Sequence, residues 1–238
     1  MKKLLTLFLT GLLFTSCADK PSYTVKGKAE GVSDGTLIRL AKINEVGKQV
    51  IKDSAVITNE EFTLKGAVEE PNIYFLALDG TFNNAVFMLE NSDIQIDFNK
   101  EVPMESKVTG SESNAGYEAF QNEMLKFREE GSAIMSEYNE LGNEPAPEKR
   151  DSIAKAMDDL RKRQINYPLI FIQEHKDSYF SLNLVELESS RPGFNVVEYR
   201  EAFENFTSKL KDSKKGVIVK QKLDKLYEEH QKTASQNN

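Results

Sequence analysis

Near residue 110 the spacing of apolar side chains changes from every second position to every third or fourth. Before it, Tyr23, Val25 and Ala29 alternate with Lys26 and Lys28, Phe62 and Leu64 with Thr63 and Lys65, and Ile94, Ile96 and Phe98 with Gln95 and Asp97. A period of two puts one dry and one wet face on each strand. The run Ile73–Leu78 is apolar throughout and predicts a strand covered on both sides. Turn-forming clusters such as Ser33-Asp34-Gly35, Thr58-Asn59-Glu60 and Asp79-Gly80 separate the runs. Seven or eight short strands at this spacing predict an antiparallel β-sandwich over residues 23–110. The pattern leaves the strand order open.

Beyond Gly110, Tyr117, Phe120, Met124, Phe127, Ile134, Tyr138 and Leu141 form the narrow stripe of a long amphipathic helix, with Gly131 inside it as a bend or a close crossing. Pro147 suits the first turn of a second helix, which carries Ile153, Met157, Leu160, Tyr167 and Phe171 and which Pro168 should kink or end. The two predict an antiparallel helix hairpin. Shorter helices follow: one capped by Asp177 or Ser178, one behind Asn195 with Val196, Tyr199, Phe203, Phe206 and Leu210 on one face, and one opened by Ser213. The fold class is therefore α+β, a sandwich followed by a helical domain over residues 111–232. Residues 233–238 read as a disordered polar tail.

The amino terminus reads as an address. Lys2 and Lys3 precede an apolar stretch from Leu4 to Phe14 that is too short to span a bilayer, so residues 1–16 predict a secretory signal peptide. Leu13-Phe14-Thr15-Ser16-Cys17 resembles a bacterial lipobox, in which the cysteine is acylated and becomes the first mature residue; Phe14 stands where leucine is commonest. Acylation of Cys17 would remove the lone thiol of an oxidising compartment and anchor the chain. Residues 17–22 then serve as a small, polar tether. The expected location is the cell envelope, at the outer membrane, with the periplasmic or surface face left open.

Little else in the chain carries chemistry. The net charge is −7, and two units more negative once Lys2 and Lys3 are removed. That argues against nucleic acid bound through its phosphates. One cysteine and two histidines cannot build a Cys-X-X-Cys redox pair or a Cys/His zinc site. His175 lies among Glu174, Lys176, Asp177 and Ser178, which is helix-end chemistry, and His230 lies close to the carboxyl end. Glu60-Glu61, Glu69-Glu70 and Asp158-Asp159 lack the spacing of a calcium loop. The lysines from Lys209 to Lys225 are offset by Asp212, Asp224, Glu228 and Glu229, which favours a solvated face over contact with anionic lipid. No catalytic residue, metal site or cofactor is therefore expected. Asp53-Ser54-Ala55 and Asp151-Ser152-Ile153 resemble the three-residue O-glycosylation motif of Bacteroidetes secreted proteins, with Ser54 and Ser152 as acceptors. An intact mass equal to that of the acylated polypeptide alone would exclude both.

Tyr23-Thr24-Val25-Lys26-Gly27, Phe62-Thr63-Leu64-Lys65-Gly66, Glu70-Pro71, Met88-Leu89-Glu90 and Asp93-Ile94-Gln95-Ile96, taken with the lipobox, resemble the amino-terminal domain of Bacteroidetes lipoproteins called domain of unknown function 4369. In that family a helical segment and a thioredoxin-like domain of the thiol-disulfide interchange (TlpA/AhpC) kind often follow. His175–Tyr179 and Leu210–Gly216 resemble that helical segment. No Trp-Cys-X-X-Cys segment occurs in the 238 residues, so the redox activity is not carried over. The expected function is a non-catalytic, membrane-anchored envelope lipoprotein that binds an envelope protein or a small ligand through the sandwich or the groove between sandwich and helices. An accessory partner of a separate thioredoxin-like oxidoreductase and a truncated relic of a thiol-disulfide interchange protein are the alternatives. The DNA downstream of Asn238 separates them: a redox domain in another frame favours the relic, and an adjacent thioredoxin gene favours the accessory.

Overall fold

A computed structural model of the chain describes residues 22–44, 47–81, 84–142 and 146–236. Eight strands come first: β1 (Tyr23–Lys28), β2 (Leu37–Ile43), β3 (Gln49–Val56), β4 (Glu61–Gly66), β5 (Asn72–Leu78), β6 (Asn84–Leu89), β7 (Asp93–Asp97) and β8 (Lys107–Thr109). They form two four-stranded sheets, in the orders β4-β1-β7-β8 and β3-β2-β5-β6. The inward residues are those the alternation marks: Val25, Leu64, Ile94 and Ile96 face Ile38, Leu40, Leu76 and Phe87 across a dry core. Two features depart from the sequence reading. The sandwich is not wholly antiparallel, because β1 and β7 pair in parallel from Thr24↔Asp93 to Lys28↔Asp97. The chain crosses to the other sheet for β5 and β6 before it returns beside β1, and alternation within a strand carries no information on that path. The run Ile73–Leu78 is dry on one side only: Tyr74, Leu76 and Leu78 enter the core, while Phe75 and Ala77 are half-buried on the outer face.

Local chemistry fixes the corners. Asn59 and Glu60 both have positive φ, 52° and 63°, in the turn that the Thr58–Glu61 bridge closes between β3 and β4. A glutamate there is strained, and it is held on two sides: its carboxylate accepts the Gly31 N–H at 2.7 Å and its carbonyl the Ala29 N–H at 2.7 Å. At Gly27, opposite Phe62 in the β1–β4 ladder, the aromatic ring occupies the space a Cβ would need.

The helices are α1 (Glu112–Glu140), α2 (Pro147–Glu174), α3 (Tyr179–Glu188), α4 (Val196–Glu204), α5 (Ser208–Lys211) and α6 (Lys214–Gln236). The long hairpin is α1 and α2. Gly131 marks a close crossing, since a Cβ there would lie 3.3 Å from the Leu160 side chain. Pro168 neither ends nor breaks α2, which continues one and a half turns beyond it to Glu174. Its missing N–H and ring cost about 3 kcal/mol in a helix interior. Burial offsets that, because Pro168 is itself buried and its neighbours Tyr167 and Phe171 join an aromatic cluster with Phe120 and Phe180. The face from Val196 to Leu210 is two helices, not one. Asn205 ends α4, its side-chain amide donating to the Glu201 carbonyl at 3.0 Å, and the Thr207 N–H turns to the Lys176 carbonyl at 3.1 Å. Phe206 and Leu210 are buried all the same. At the carboxyl end, Thr233 and Ser235, expected in a tail, lie within α6. Their hydroxyls bond back to the Glu229 and Gln231 carbonyls at 3.0 and 2.9 Å.

The helices cover one end of the outer face of the second sheet. Met88 on its edge strand β6 is fully buried and belongs to the helical core, with Ile73 of β5 packed against the same core. The start of α1 satisfies that edge: Asn114 Oδ1 accepts the Met88 N–H at 3.0 Å and Ser111 Oγ donates to the Met88 carbonyl at 3.1 Å. Burial pushes the Glu90 carboxyl up, but hydrogen bonds from Ser113, Ser111 and Glu112 outweigh that and hold it below its usual range. The start of α6 is clamped too: Glu70 accepts the Lys215 N–H at 2.7 Å, Glu69 pairs with Lys214 at 2.9 Å, and Lys215 pairs with Glu186.

Candidate functional site

Cys17 lies outside the described residues. Ser54 is exposed on the edge strand β3, and its N–H donates to the Asp53 carboxylate at 2.8 Å. Ser152 is exposed in α2. Both residues stand at the surface, one on the sandwich and one on the helical hairpin. His175 closes α2, donating its N–H to the Phe171 carbonyl at 2.9 Å, and its ring lies 4.0 Å from that of Phe171. The acidic pairs serve the fold. Glu60 holds its turn, Glu69 and Glu70 hold α6, and Asp158 pairs with Arg161 and Lys162 at 2.9 and 2.7 Å. Several of the carboxyl-terminal lysines are engaged as well: Lys211 donates to the Glu204 carbonyl, Lys220 pairs with Asp224, Lys222 donates to Ser190, and Lys209 stands over the Tyr179 ring.

The seam between sandwich and helices, where the sequence predicts a groove, is filled by Met88, Ile73 and their partners. An apolar recess lies elsewhere, near the connection between α1 and α2 at the end of the hairpin remote from Ser111 and Asn114. At 1.5 Å per residue, the 29 residues of α1 extend about 43 Å. Its proximal part packs against α3, where Tyr117 and Phe120 meet Phe180; further out, Phe127, Ile153 and Leu160 are the buried apolar residues of the two long helices. Arg163 ties α2 to α1 through Glu130 and stacks over Phe127 at 5.6 Å. Beyond that point Ile134, Met135 and Tyr138 of α1 face Ile153, Ala154 and Met157 of α2 across an open cleft of about 480 Å³, with Arg150 and Asp151 at its rim. Met135 and Tyr138 are 47% and 46% exposed.

The cleft has an apolar floor and one charge of each sign at its edge, and its lining has no histidine, cysteine or serine. Such a lining suits an apolar segment. The sequence stripe contains Ile134, Tyr138, Ile153 and Met157 but misses the cleft. A stripe shows which residues seek cover and not how much of a helix its neighbours reach. A second recess, beside Lys28, Asp97, Lys100 and Glu105, is lined by both signs of charge, and Lys100 there donates to the Gly31 carbonyl at 2.9 Å.

One buried carboxyl stands apart. Glu188 at the end of α3 is 5% exposed and pairs with Arg191 at 3.2 Å. Burial raises its pKa, against the pull of Arg191. Burial also pushes the nearby Tyr199 hydroxyl up, with Glu188 adding to the shift. A carboxyl whose folded pKa is raised contributes stability that is complete below the unfolded pKa of about 4.3 and is lost as pH rises through the folded value. Glu188→Gln should therefore raise the urea midpoint at pH 7 and leave it unchanged below about pH 4. Equal midpoint shifts at both pH values would show that the charge is not what costs stability.

Residues 23–117 match the family model described as Domain of unknown function (DUF4369). The match opens on the first residue of β1 and closes in the second turn of α1, so it takes in the whole sandwich and the joint through Ser111 and Asn114. No curated protein and no solved structure matches the chain.

Proposed function

We propose that this chain, whose residues 23–117 are a DUF4369 domain, is a non-catalytic lipoprotein of the cell envelope that holds a partner protein on its helical hairpin. Cys17 is the acylated residue and the outer membrane the surface it anchors to. The observation that carries the binding role is the open apolar cleft between Ile134, Met135 and Tyr138 on one helix and Ile153, Ala154 and Met157 on the other. Two helices leave such a seam half covered, and a third segment with an apolar ridge completes it. The clamps at Met88 and Glu90 hold the base of the hairpin on the sandwich, so the cleft is presented at a set distance from the anchor.

A photo-crosslinker at Ala154, exposed beside the cleft, should yield one discrete adduct in intact envelopes. Met135→Asp should abolish it, because a docked apolar segment would have to cover a carboxylate on the cleft wall. An adduct unaffected by Met135→Asp would refute the cleft as the binding site. Turnover by the purified protein in a screen of hydrolase and reductase substrates would refute the non-catalytic reading. A thioredoxin-fold protein in the adduct would make the chain an accessory of thiol–disulfide exchange.

A further inference from the structure

We infer that the end of the β2–β3 hairpin is a second membrane contact, which rests on an anionic lipid surface beside the acyl anchor. The inference depends on the acylation of Cys17 proposed above. Three aliphatic side chains stand in water at this end: Ile43 is 57% exposed, Val50 41% and Ile51 54%. The ladder pairs Ala41 with Ile51, Lys42 with Val50 and Ile43 with Gln49, so Ile43 and Ile51 share one face and Val50 and Lys42 the other. Lys48 and Lys52 are exposed beside them. A lysine on an edge strand deters pairing with another sheet, but three exposed aliphatics beside it work against that purpose. Aliphatic side chains ringed by lysines are the composition that seats a protein among anionic headgroups.

The topology brings this end to the point where the chain enters the fold. Tyr23, the first residue of β1, pairs with Gly66, the last of β4. The next strand, β5, starts at Asn72. Because Ala41 pairs with Phe75, Ile43 at the end of β2 lies level with the start of β5. Electrostatics agree with this placement: Lys42 and Lys52 help to lower the Glu69 carboxyl in the β4–β5 connection, after the larger effect of Lys214, and Asp53 adds to the burial that raises the Tyr23 hydroxyl. Among the described residues Glu69 faces Lys42 and Lys52, and its carboxylate pairs with Lys214. Five residues, Ala18 to Ser22, separate Cys17 from Tyr23. The six steps from Cys17 to Tyr23, at no more than about 3.5 Å each, keep the start of β1 within about 21 Å of the acylated cysteine whatever their conformation. The end of the sandwich that presents Ile43, Val50 and Ile51 is thus the end held against the membrane.

The test uses the full chain, made in a bacterium that processes lipoproteins and reconstituted into phosphatidylcholine vesicles with or without phosphatidylglycerol. Labelled palmitate reports the anchor. An environment-sensitive fluorophore on Val50→Cys reports the contact; Gln49→Cys is the second position should that variant not fold, and Ser33→Cys, at the opposite end of the sandwich, is the control. The expected result is palmitate incorporation, with blue-shifted emission and quenching by doxyl lipid at 50 and neither at 33. The shift at 50 should shrink without phosphatidylglycerol and in Lys48→Glu/Lys52→Glu. Palmitate incorporation with a label at 50 that stays in water overturns the contact and leaves the anchor standing. Absence of palmitate overturns both. Protection at 50 that requires another envelope protein, and not lipid, assigns the hairpin to a protein partner and overturns the contact.

Discussion

Gly216→Ala should destabilise the protein by about 3 kcal/mol or more, at or above the top of the range for overpacking a close-packed site. Gly216 is buried in the first turn of α6. A Cβ there would lie 2.7 Å from the Lys211 carbonyl oxygen and closer still to that of Leu210. Both obstacles are backbone, and Leu210 is itself fully buried, so neither can move aside as a flexible side chain would. The same turn carries the Lys215 N–H that Glu70 accepts, the Lys214–Glu69 pair, and the Ser213 hydroxyl that accepts the Gly216 N–H at 3.0 Å. Pushing α5 away from α6 therefore strains the clamp on the sandwich as well as the crossing. Urea denaturation should show a lower midpoint at unchanged slope. Gly216→Ala with wild-type stability would mean that the α5–α6 approach relaxes freely. Gly131→Ala is the internal comparison: its Cβ would meet only a flexible Leu160 methyl at 3.3 Å, so the better helix former should be tolerated there.

The sequence made most of the elements legible and little of their arrangement. Period-two alternation identifies Val25, Leu64, Ile94 and Ile96 as inward because burial on one face of a strand is a local property. Ser178 and Asn195 are recognisable as caps for the same reason: the cap satisfies backbone groups two or three residues away, as at Phe180 and Glu198. What escaped was decided at long range. The parallel β1–β7 pair joins residues about 70 positions apart. The passage of α2 through Pro168 depends on rings from α1 and α3, and the break at Asn205 on a carbonyl from Lys176. The cleft escaped because nothing in Ile134, Tyr138 or Met157 states that the other helices stop short of them. The groove expected between the halves was an inference from architecture, and the edge of β6 shows why it is filled: Met88 would otherwise leave an N–H and a carbonyl unpaired at the margin of the sheet.

Phe171→Ala should cost about 3–5 kcal/mol, the range for removing a buried phenylalanine, and the loss should fall mainly on the helices. The ring is 1% exposed, with centroids 5.4 Å from Phe120, 5.7 Å from Phe180, 6.2 Å from Tyr167 and 4.0 Å from His175. It meets rings from α1, α2 and α3 together, so its removal leaves a void that no single helix can close by shifting. The buried apolar residues form two clusters, one inside the sandwich and one among the helices, and Met88 of β6 belongs to the second. Damage at Phe171 therefore has an apolar route to β5 and β6, through Met88 and Ile73, and none to Val25, Leu64 or Ile94 in the opposite sheet. Hydrogen exchange can read that asymmetry directly. Amides of α2, α3 and α6 should lose most protection and β5 and β6 an intermediate amount, while β1, β4 and β7 should keep nearly all of theirs. Phe171→Leu, which retains most of the volume, should cost less than about 1.5 kcal/mol and show the same order. Equal loss of protection in every strand and helix would instead make the two clusters one cooperative unit, coupled by the hydrogen bonds at Glu90 and Asn114 more tightly than by apolar contact.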